Sequence, residues 1–299
     1  MAAGCRSPHP SVLYLQILIN GLLLGGLYSC IAIGFSLVWG VLNIINILHG
    51  SLIILGAYAA FFAYTELGIH PFAFVPLAGL LLFAIGYLLQ AGLINRVMGA
   101  PVLITLTLTF GLNLMFENAM ILAFKADYRT VILNPPLGIL NLGPVVLAKD
   151  RLYAMMLALV LVLLLYVLLR ATRIGRAIVA VRMDRDAAAL MGVNVPRIYA
   201  VTFALGACLA GAAGSLISVI FPISPLSSIG FLGKAFVICI LGGLGSVPGV
   251  MVGGLVLGVL ESFGSLWLGP DYSTTIAFVL LLALLLFRPT GLMGKRGFD

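Results

Sequence analysis

Long apolar runs separated by short polar gaps dominate the sequence. Many of these runs reach the roughly 20 residues that a helix needs to cross the hydrocarbon core of a bilayer. A membrane β-barrel would instead alternate apolar and polar positions within segments of about 10 residues, and the run Leu157–Leu169 does not alternate. The pattern therefore predicts an all-α polytopic membrane protein with about eight to ten transmembrane helices.

Two stretches leave the number of spans open. Residues 12–48 are long enough for one tilted span or for two tight spans. The stretch 230–268 is interrupted by several Gly residues and Pro248, so it could form two spans or a re-entrant turn followed by a helix. The reading with nine spans places them at 12–39, 44–64, 72–94, 101–124, 152–169, 198–221, 230–245, 249–268 and 273–287.

The composition excludes a soluble protein. Hydrophobic residues make up 63% of the 299 residues and charged residues only 8%, whereas a soluble domain has about 25% charged residues. High hydrophobicity also excludes intrinsic disorder. The longest polar segments, 125–151 and 170–197, are shorter than the ~40 residues that independent folding usually needs. We therefore predict that residues 1–299 form a single transmembrane domain.

Basic residues are unevenly distributed among the predicted loops. Arg is concentrated in segment 170–197, and Arg288, Lys295 and Arg296 lie at the C-terminus. Because cytoplasmic loops accumulate Lys and Arg, we expect both regions to be cytoplasmic and segment 125–151 to lie outside. Nine spans would place the N-terminus outside, whereas Arg6 favours the inside, and ten spans would remove this conflict.

Segment 170–197 contains the signals of a short helix. Asp184 is a good N-cap and Asp186 would lie in the first turn. Good helix formers follow from Ala187 to Met191, and Gly192 suits the position just after a helix end. A helix of about 10 Å is too short to be stable alone. It would lie either on the membrane surface, where Arg meets anionic lipid, or in a groove of a soluble partner.

The same segment resembles a known coupling loop. Residues 175–194, GRAIVAVRMDRDAAALMGVN, are similar to the coupling loop of ABC importer permeases of the branched-chain amino-acid (LivH) type. The resemblance continues in order along nearly the whole chain. Its motifs are Asn20–Gly50, Leu55–Phe61, Thr107–Asn113 with Glu117 and Asn118, Lys234–Ser262 and Arg288–Gly294. One departure is Ile47-Leu48, where the family more often has an aromatic residue and alanine.

The resemblance implies the ABC importer permease fold, in one transmembrane permease domain, and a division of labour among subunits. This chain would line the pathway in the cell (inner) membrane with a second permease subunit, either LivM-like or a second copy. Two cytoplasmic ATPases would bind ATP-Mg, and an extracytoplasmic binding protein would deliver a branched-chain amino acid. No cofactor or nucleic acid would bind this chain. Permeases of the same family for urea or short-chain amides are the alternative.

The resemblance also implies which residues transmit ATPase closure to the spans. They are Gly175, Arg176, Ala177, Asp184, Asp186, Ala188, Leu190 and Gly192. The chain itself should carry no ATPase site, since a Walker A loop needs G-x-x-x-x-G-K-[ST]. The Gly-Lys pairs at Gly233 and Gly294 are followed by Ala and Arg.

A few polar residues lie inside the predicted spans. Glu117, Lys234 and Glu261 are charged and should face the bundle interior or a cavity. They would form either a way-station for a zwitterion or pairs with one another. His49 would serve in a pathway or bond a neighbouring helix. Further pathway candidates are Asn46, Thr107 and Asn113.

Small residues recur at helical spacing within the spans. GxxxG pairs occur at Gly21/Gly25, Gly249/Gly253 and Gly254/Gly258, and a stripe runs through Gly206, Ala210 and Gly214. Small residues let helices approach closely in lipid. They predict either tight packing within the subunit or an interface that slides between two permease subunits.

Two other function classes agree less well with the sequence. An ion-coupled secondary transporter tends to carry buried acidic or His relays, and here His49 and the two Glu residues lie far apart along the chain. An intramembrane enzyme would need a Ser–His dyad or an HExxH motif, and the three His residues lack that spacing. The scattered Cys residues predict neither a disulfide framework nor a metal site.

Overall fold

The computed structural model describes residues 10–269 except 144 and 244, together with residues 272, 275–276, 278–279, 282–283 and 286. Its main elements are helices joined by short connections. In chain order they are α1 (Pro10–Leu42), α2 (His49–Leu67), α3 (Pro71–Gly92), α4 (Val102–Phe124), β1 (Ile139–Leu142), β2 (Val145–Ala148), α5 (Lys149–Ala171), α6 (Arg173–Met183), α7 (Arg185–Leu190), α8 (Val195–Ile220), α9 (Ser228–Gly242) and α10 (Val247–Leu268). Short 3₁₀ helices occur at Ile94–Val97 and Pro225–Ser227.

Eight helices within the described residues are long and apolar enough to cross a membrane. This confirms the prediction of an all-α polytopic protein. The stretch 12–48 contains one long helix, α1, followed by an irregular segment, and the stretch 230–268 contains two helices, α9 and α10. The predicted span 273–287 falls largely outside the described residues. The total number of spans therefore stays open within the predicted range of eight to ten.

Segment 125–151 contains a feature that the sequence reading did not predict. Strands β1 and β2 form a two-stranded antiparallel hairpin in which Ile139 pairs with Ala148. The side chain of Gln16, near the start of α1, bonds both the carbonyl and the N–H of Val146. The hairpin is therefore fixed to the first transmembrane helix.

Backbones of α1 and α10 touch along the predicted GxxxG residues. A Cβ built on Gly25 would lie 2.7 Å from Cα of Leu255, and one on Gly258 would lie 2.5 Å from Cα of Gly25. Gly21 and Gly254 face the opposite helix in the same way. These GxxxG pairs therefore serve packing within the subunit, one of the two predicted roles.

Helix α8 uses its small residues against three neighbours. Gly206 meets Gly34 of α1, Gly211 meets Gly56 of α2, and Ala207 meets Gly86 of α3. Side chains from Ala200 to Val219 are mostly buried. Helices α1 and α8 thus form the centre of the bundle, while α4 and α5 lie at its periphery with most of their surface exposed.

Contacts between connections define two faces of the bundle. Arg129, after α4, forms a β-bridge with Ile223, after α8, at the end of the bundle that carries the β hairpin. At the other end, the side chain of Asn95, after α3, donates to the carbonyl of Pro196 at the start of α8. We call these ends the hairpin face and the α7 face.

The α1–α10 contact generates a stability prediction. Replacing Gly258 with Ala forces two backbones apart, and overpacking of this kind costs about 1–3 kcal/mol. We expect the Gly258→Ala protein to lose its monodisperse state in detergent at a temperature several degrees below that of the wild type.

Gly111→Ala on α4 is the matched control, because a Cβ built on Gly111 meets nothing within 4 Å among the described residues. This control should melt at or slightly above the wild-type temperature, since Ala favours a helix by about 1 kcal/mol over Gly. Equal melting temperatures for the two variants would contradict the packing.

Candidate functional site

Helix α6 joins the end of α5 to α7 on the α7 face. Thr172 caps α6 by accepting a 2.9 Å hydrogen bond from the N–H of Gly175. Gly175 packs directly on the backbone of Leu168 and Leu169, where a Cβ would not fit. Because Ile178 and Val181 are buried while the Arg side chains are not, α6 is an amphipathic helix lying against the bundle. The sequence reading treated this stretch as loop.

Helix α7 has the ends that the sequence predicts. The Asp184 carboxylate accepts 2.9 Å hydrogen bonds from the N–H groups of Asp186 and Ala187. Gly192 has a φ of 84°, and the N–H of Val193 reaches back to the carbonyl of Ala188. This is the bonding of a Schellman C-cap. Both ends of this six-residue helix are thus fixed by bonds of its own sequence.

One side of α7 packs on the protein and the other projects away from it. Ala188 is buried, and Ala177 of α6 is half-buried. In contrast, Leu190 is 90% exposed and Met191 is 85% exposed. Two adjacent large apolar side chains that no described residue covers indicate a contact surface for another molecule.

Exposed charged groups lie on both α6 and α7. Arg176 is exposed on α6, and Arg185 donates a 3.3 Å hydrogen bond to Asp186. This bond raises the pKa of the Arg185 guanidinium above its ordinary value, and Tyr199 adds to the shift. A groove of about 310 Å³ separates α7 from α8, lined by Asn95, Met98, Arg185, Asp186, Ala189, Val195, Pro196 and Tyr199.

A polar ladder runs along one side of α4. Thr109 donates to the carbonyl of Ile45 at 2.9 Å. One helical turn further, Asn113 accepts a 2.6 Å hydrogen bond from Ser51. One turn beyond that, Glu117 accepts from Ser228 at 3.0 Å. Residues at this i, i+4 spacing share a helix face, so α4 meets α2 and α9 through hydrogen bonds.

The Thr109 end of this ladder adjoins an irregular backbone segment, residues 43–48. Asn43 has a φ of 53°, and Asn46 is buried without a hydrogen-bond partner for its Oδ1 among the described residues. His49, the first residue of α2, is fully buried, and its Nε2 lies 3.0 Å from the carbonyl of Ile31. Such backbone at membrane depth is tolerated where protein surrounds it or where it lines a cavity.

Lys234 and Glu261 form an ion pair, which was one of the two predicted alternatives. Nζ of Lys234 lies 2.7 Å from Oε1 of Glu261 and 2.9 Å from the hydroxyl of Tyr28. The Tyr28 hydroxyl also approaches Oε1 at 3.3 Å. The sequence reading missed Tyr28, because nothing in its own helix pattern signals partners more than 200 residues away.

The predicted pathway residues therefore fall into three groups. Asn46, His49, Asn113 and Glu117 lie along or beside the α4 ladder, and Lys234 with Glu261 lies between α1, α9 and α10. Thr107 is exposed, bonds within its own helix and lines an apolar groove of about 580 Å³ on the outer side of α4. The ladder spacing of Thr109, Asn113 and Glu117 was visible in the sequence.

Comparisons with known proteins agree on one family. Residues 17–285 match the family model described as branched-chain amino acid transport system, permease component. The chain is 36% identical to the high-affinity branched-chain amino acid transport permease protein BraD of Pseudomonas aeruginosa, with 94% of this chain and 96% of that protein covered.

Two Escherichia coli (strain K12) proteins with similar names also match. Identity is 33% to the permease protein LivH, covering 94% of this chain and 96% of that protein. It is 27% to the permease protein LivM, covering 89% of this chain and 68% of that protein. No solved structure gives a significant match.

The Lys234–Glu261 pair generates a prediction about stability. Glu261→Gln leaves the Lys234 ammonium buried without its counter-charge, and loss of one partner from a buried pair costs about 3–5 kcal/mol. The double variant Lys234→Met/Glu261→Gln removes both charges and should recover most of that loss. Thermal unfolding in detergent would measure both variants. A double variant less stable than Glu261→Gln alone would contradict the pairing.

Proposed function

The chain belongs to the family of branched-chain amino acid transport system permease components, and we propose that it is the permease subunit of an ATP-driven, binding-protein-dependent importer of branched-chain amino acids. The observation that carries the proposal is the doubly capped helix α7 with its exposed Leu190 and Met191. The names of the relatives favour amino acids over the alternative substrates, urea and short-chain amides. A permease of this kind has no ATPase chemistry of its own, so ATP-Mg would bind the partner subunits.

Docking of α7 on an ATPase would use its exposed tip. Burial of Leu190 and Met191 in a groove would each contribute about 1.5–3 kcal/mol. The exposed Arg side chains of α6 and α7 would add charge complementarity, which mainly favours rapid and specific association. On this proposal the α7 face and the C-terminus are cytoplasmic in the cell (inner) membrane, and the hairpin face meets the substrate-binding protein.

A force on α7 would reach the membrane spans by short routes. Ala188 rests on the bundle, and Gly175 links α6 to the end of α5. The Arg182 side chain lies over the turn between α9 and α10, since a Cβ built on Gly245 would lie 2.9 Å from its guanidinium. Closure of two ATPases against α7 would therefore move α5, α9 and α10 together.

We assign the translocation route to the α4 ladder, lined by Asn46, His49, Asn113 and Glu117. Helix α4 is peripheral and meets α2 and α9 through hydrogen bonds that water or substrate can replace. A second permease subunit, LivM-like or a further copy, would complete the route. An ion-coupled secondary transporter is less well supported, because Glu117 and Glu261 bond different partners and form no relay with His49.

Uptake into vesicles tests the function. The chain, a second permease, two ATPases and the binding protein from its own gene neighbourhood would be reconstituted together. We expect leucine uptake that needs ATP on the ATPase side and binding protein on the other side, and that survives a proton uncoupler at constant ATP. Uptake that collapses with the uncoupler, or that proceeds without ATP, would contradict the proposal.

The α7 tip generates a mutational prediction. Leu190→Asp should reduce ATPase co-purification and ATP-driven uptake at least tenfold, because it places a charge where an apolar contact forms. The membrane fold should be unaffected, since Leu190 contacts little of its own chain. Asp186→Lys should uncouple transport in the same way.

Ile132→Asp is the matched control, because Ile132 is 81% exposed on the hairpin side of the bundle. It should keep wild-type ATPase co-purification. If Leu190→Asp and Asp186→Lys also retain wild-type ATPase binding and uptake, the docking role is wrong.

A further inference from the structure

Lys234, Glu261 and Tyr28 form a polar cluster that the proposed route does not use. The side chains of Lys234 and Glu261 are 11% and 7% exposed. Both hydrogen bonds that the Glu261 carboxylate accepts within the described residues reach Oε1, from Lys234 and from Tyr28. Oε2 is buried and has no hydrogen-bond partner there.

A buried carboxylate oxygen is stabilised when it accepts a hydrogen bond. A carboxylate accepts about four hydrogen bonds and an ammonium donates three, and burial of an unsatisfied charged group is expensive. Lys234 uses two donors, one on Tyr28 and one on Glu261. The cluster thus offers a free acceptor, Oε2 of Glu261, and one further N–H donor on Nζ of Lys234 within the described residues. The two side chains that carry these groups are in direct contact.

Aromatic rings form the wall around these charges. Nζ of Lys234 lies 4.7 Å from the ring centre of Tyr28 and 5.8 Å from that of Phe221. Phe231 packs edge-on against Phe221 at 6.1 Å. Phe221 directly follows α8. Two residues later, Ile223 forms the β-bridge with Arg129 that lies on the hairpin face. The cluster therefore lies near the face on which a binding protein would release its substrate.

We propose that this cluster binds the charged ends of a zwitterionic amino acid with an apolar side chain before it enters the membrane interior. The α-ammonium donates to Oε2 of Glu261, and the α-carboxylate accepts from Nζ of Lys234. The apolar side chain packs against Phe221 and Phe231. This inference rests on the proposed function and specifies how the substrate class is recognised.

The charge pattern distinguishes this ligand from the neutral substrates of related permeases. An amino acid carries its ammonium and its carboxylate on the same carbon. Each of these groups can therefore face the opposite charge of the Lys234–Glu261 pair. Hydrogen bonds between charged groups are roughly twice as strong as those of neutral groups. Urea or an amide has no charge to offer and no branched side chain for the aromatic wall.

The test uses the complete reconstituted complex with radiolabelled leucine and saturating loaded binding protein. In the neutral variant Lys234→Met/Glu261→Gln, leucine uptake per ATP hydrolysed should fall at least tenfold. Glu261→Asp keeps both charges but withdraws the carboxylate by one methylene, and uptake per ATP should fall severalfold. Ser215→Ala, which removes a buried hydroxyl bonded to Pro71, is the control and should resemble the wild type.

A purely structural ion pair gives a different result. Wild-type uptake per ATP in the neutral double variant would overturn the proposal. If that variant fails to assemble, Glu261→Asp decides, and wild-type uptake in this charge-preserving variant would also overturn it. A wild-type complex that hydrolyses ATP but carries no leucine would instead contradict the proposed function.

Discussion

Close contact between helix backbones at glycine positions holds the centre of this bundle together. In a bilayer the hydrophobic effect contributes little to the association of helices. They are held together by close packing and by hydrogen bonds between them. Helix α1 meets α10 at Gly25 and Gly258 and meets α8 at Gly34 and Gly206. Larger side chains at these positions would separate the three helices.

This packing sets where the polar groups can meet. The α1–α10 contact brings Tyr28 within reach of Glu261, and the α9–α10 contact adds Lys234. Away from this packed centre, α4 is held by Thr109, Asn113 and Glu117. The bundle thus combines a centre in which backbones touch with a peripheral helix that is joined partly by hydrogen bonds and partly by the contacts of Phe124 with Tyr58 and Phe62. On the proposed route along α4, that division would let a polar path open while the centre keeps its packing.

The spans and the caps of α7 could be predicted from the sequence because their causes are local. Long apolar runs give helices wherever the surroundings are lipid, and Asp184 and Gly192 bond their own neighbours in the chain. Helix α6 was missed because Arg173, Arg176 and Arg182 lie within a segment rich in Arg that resembles a polar loop, and only packing reveals which side of the helix is buried. The β hairpin was missed because its strands are four residues long and are held partly by Gln16, far away in the chain.

The pairing of the polar residues needed three-dimensional information. The sequence named Glu117, Lys234 and Glu261 as the charges within spans, but it left their partners open. In the structure Glu117 bonds Ser228, whereas the other two bond each other. These contacts join residues 27 and 111 positions apart, and such partners depend on helix rotation and depth.

On the proposed function, α7 transmits the action of ATPases to this bundle. A structure of the complete complex, with the exposed fractions of Leu190 and Met191 measured in place, tests it most directly. We expect both side chains, which are 90% and 85% exposed in the isolated chain, to become almost fully buried against an ATPase subunit. If α7 lies on the opposite side of the membrane from the ATPases, or contacts only lipid, it does not transmit their action.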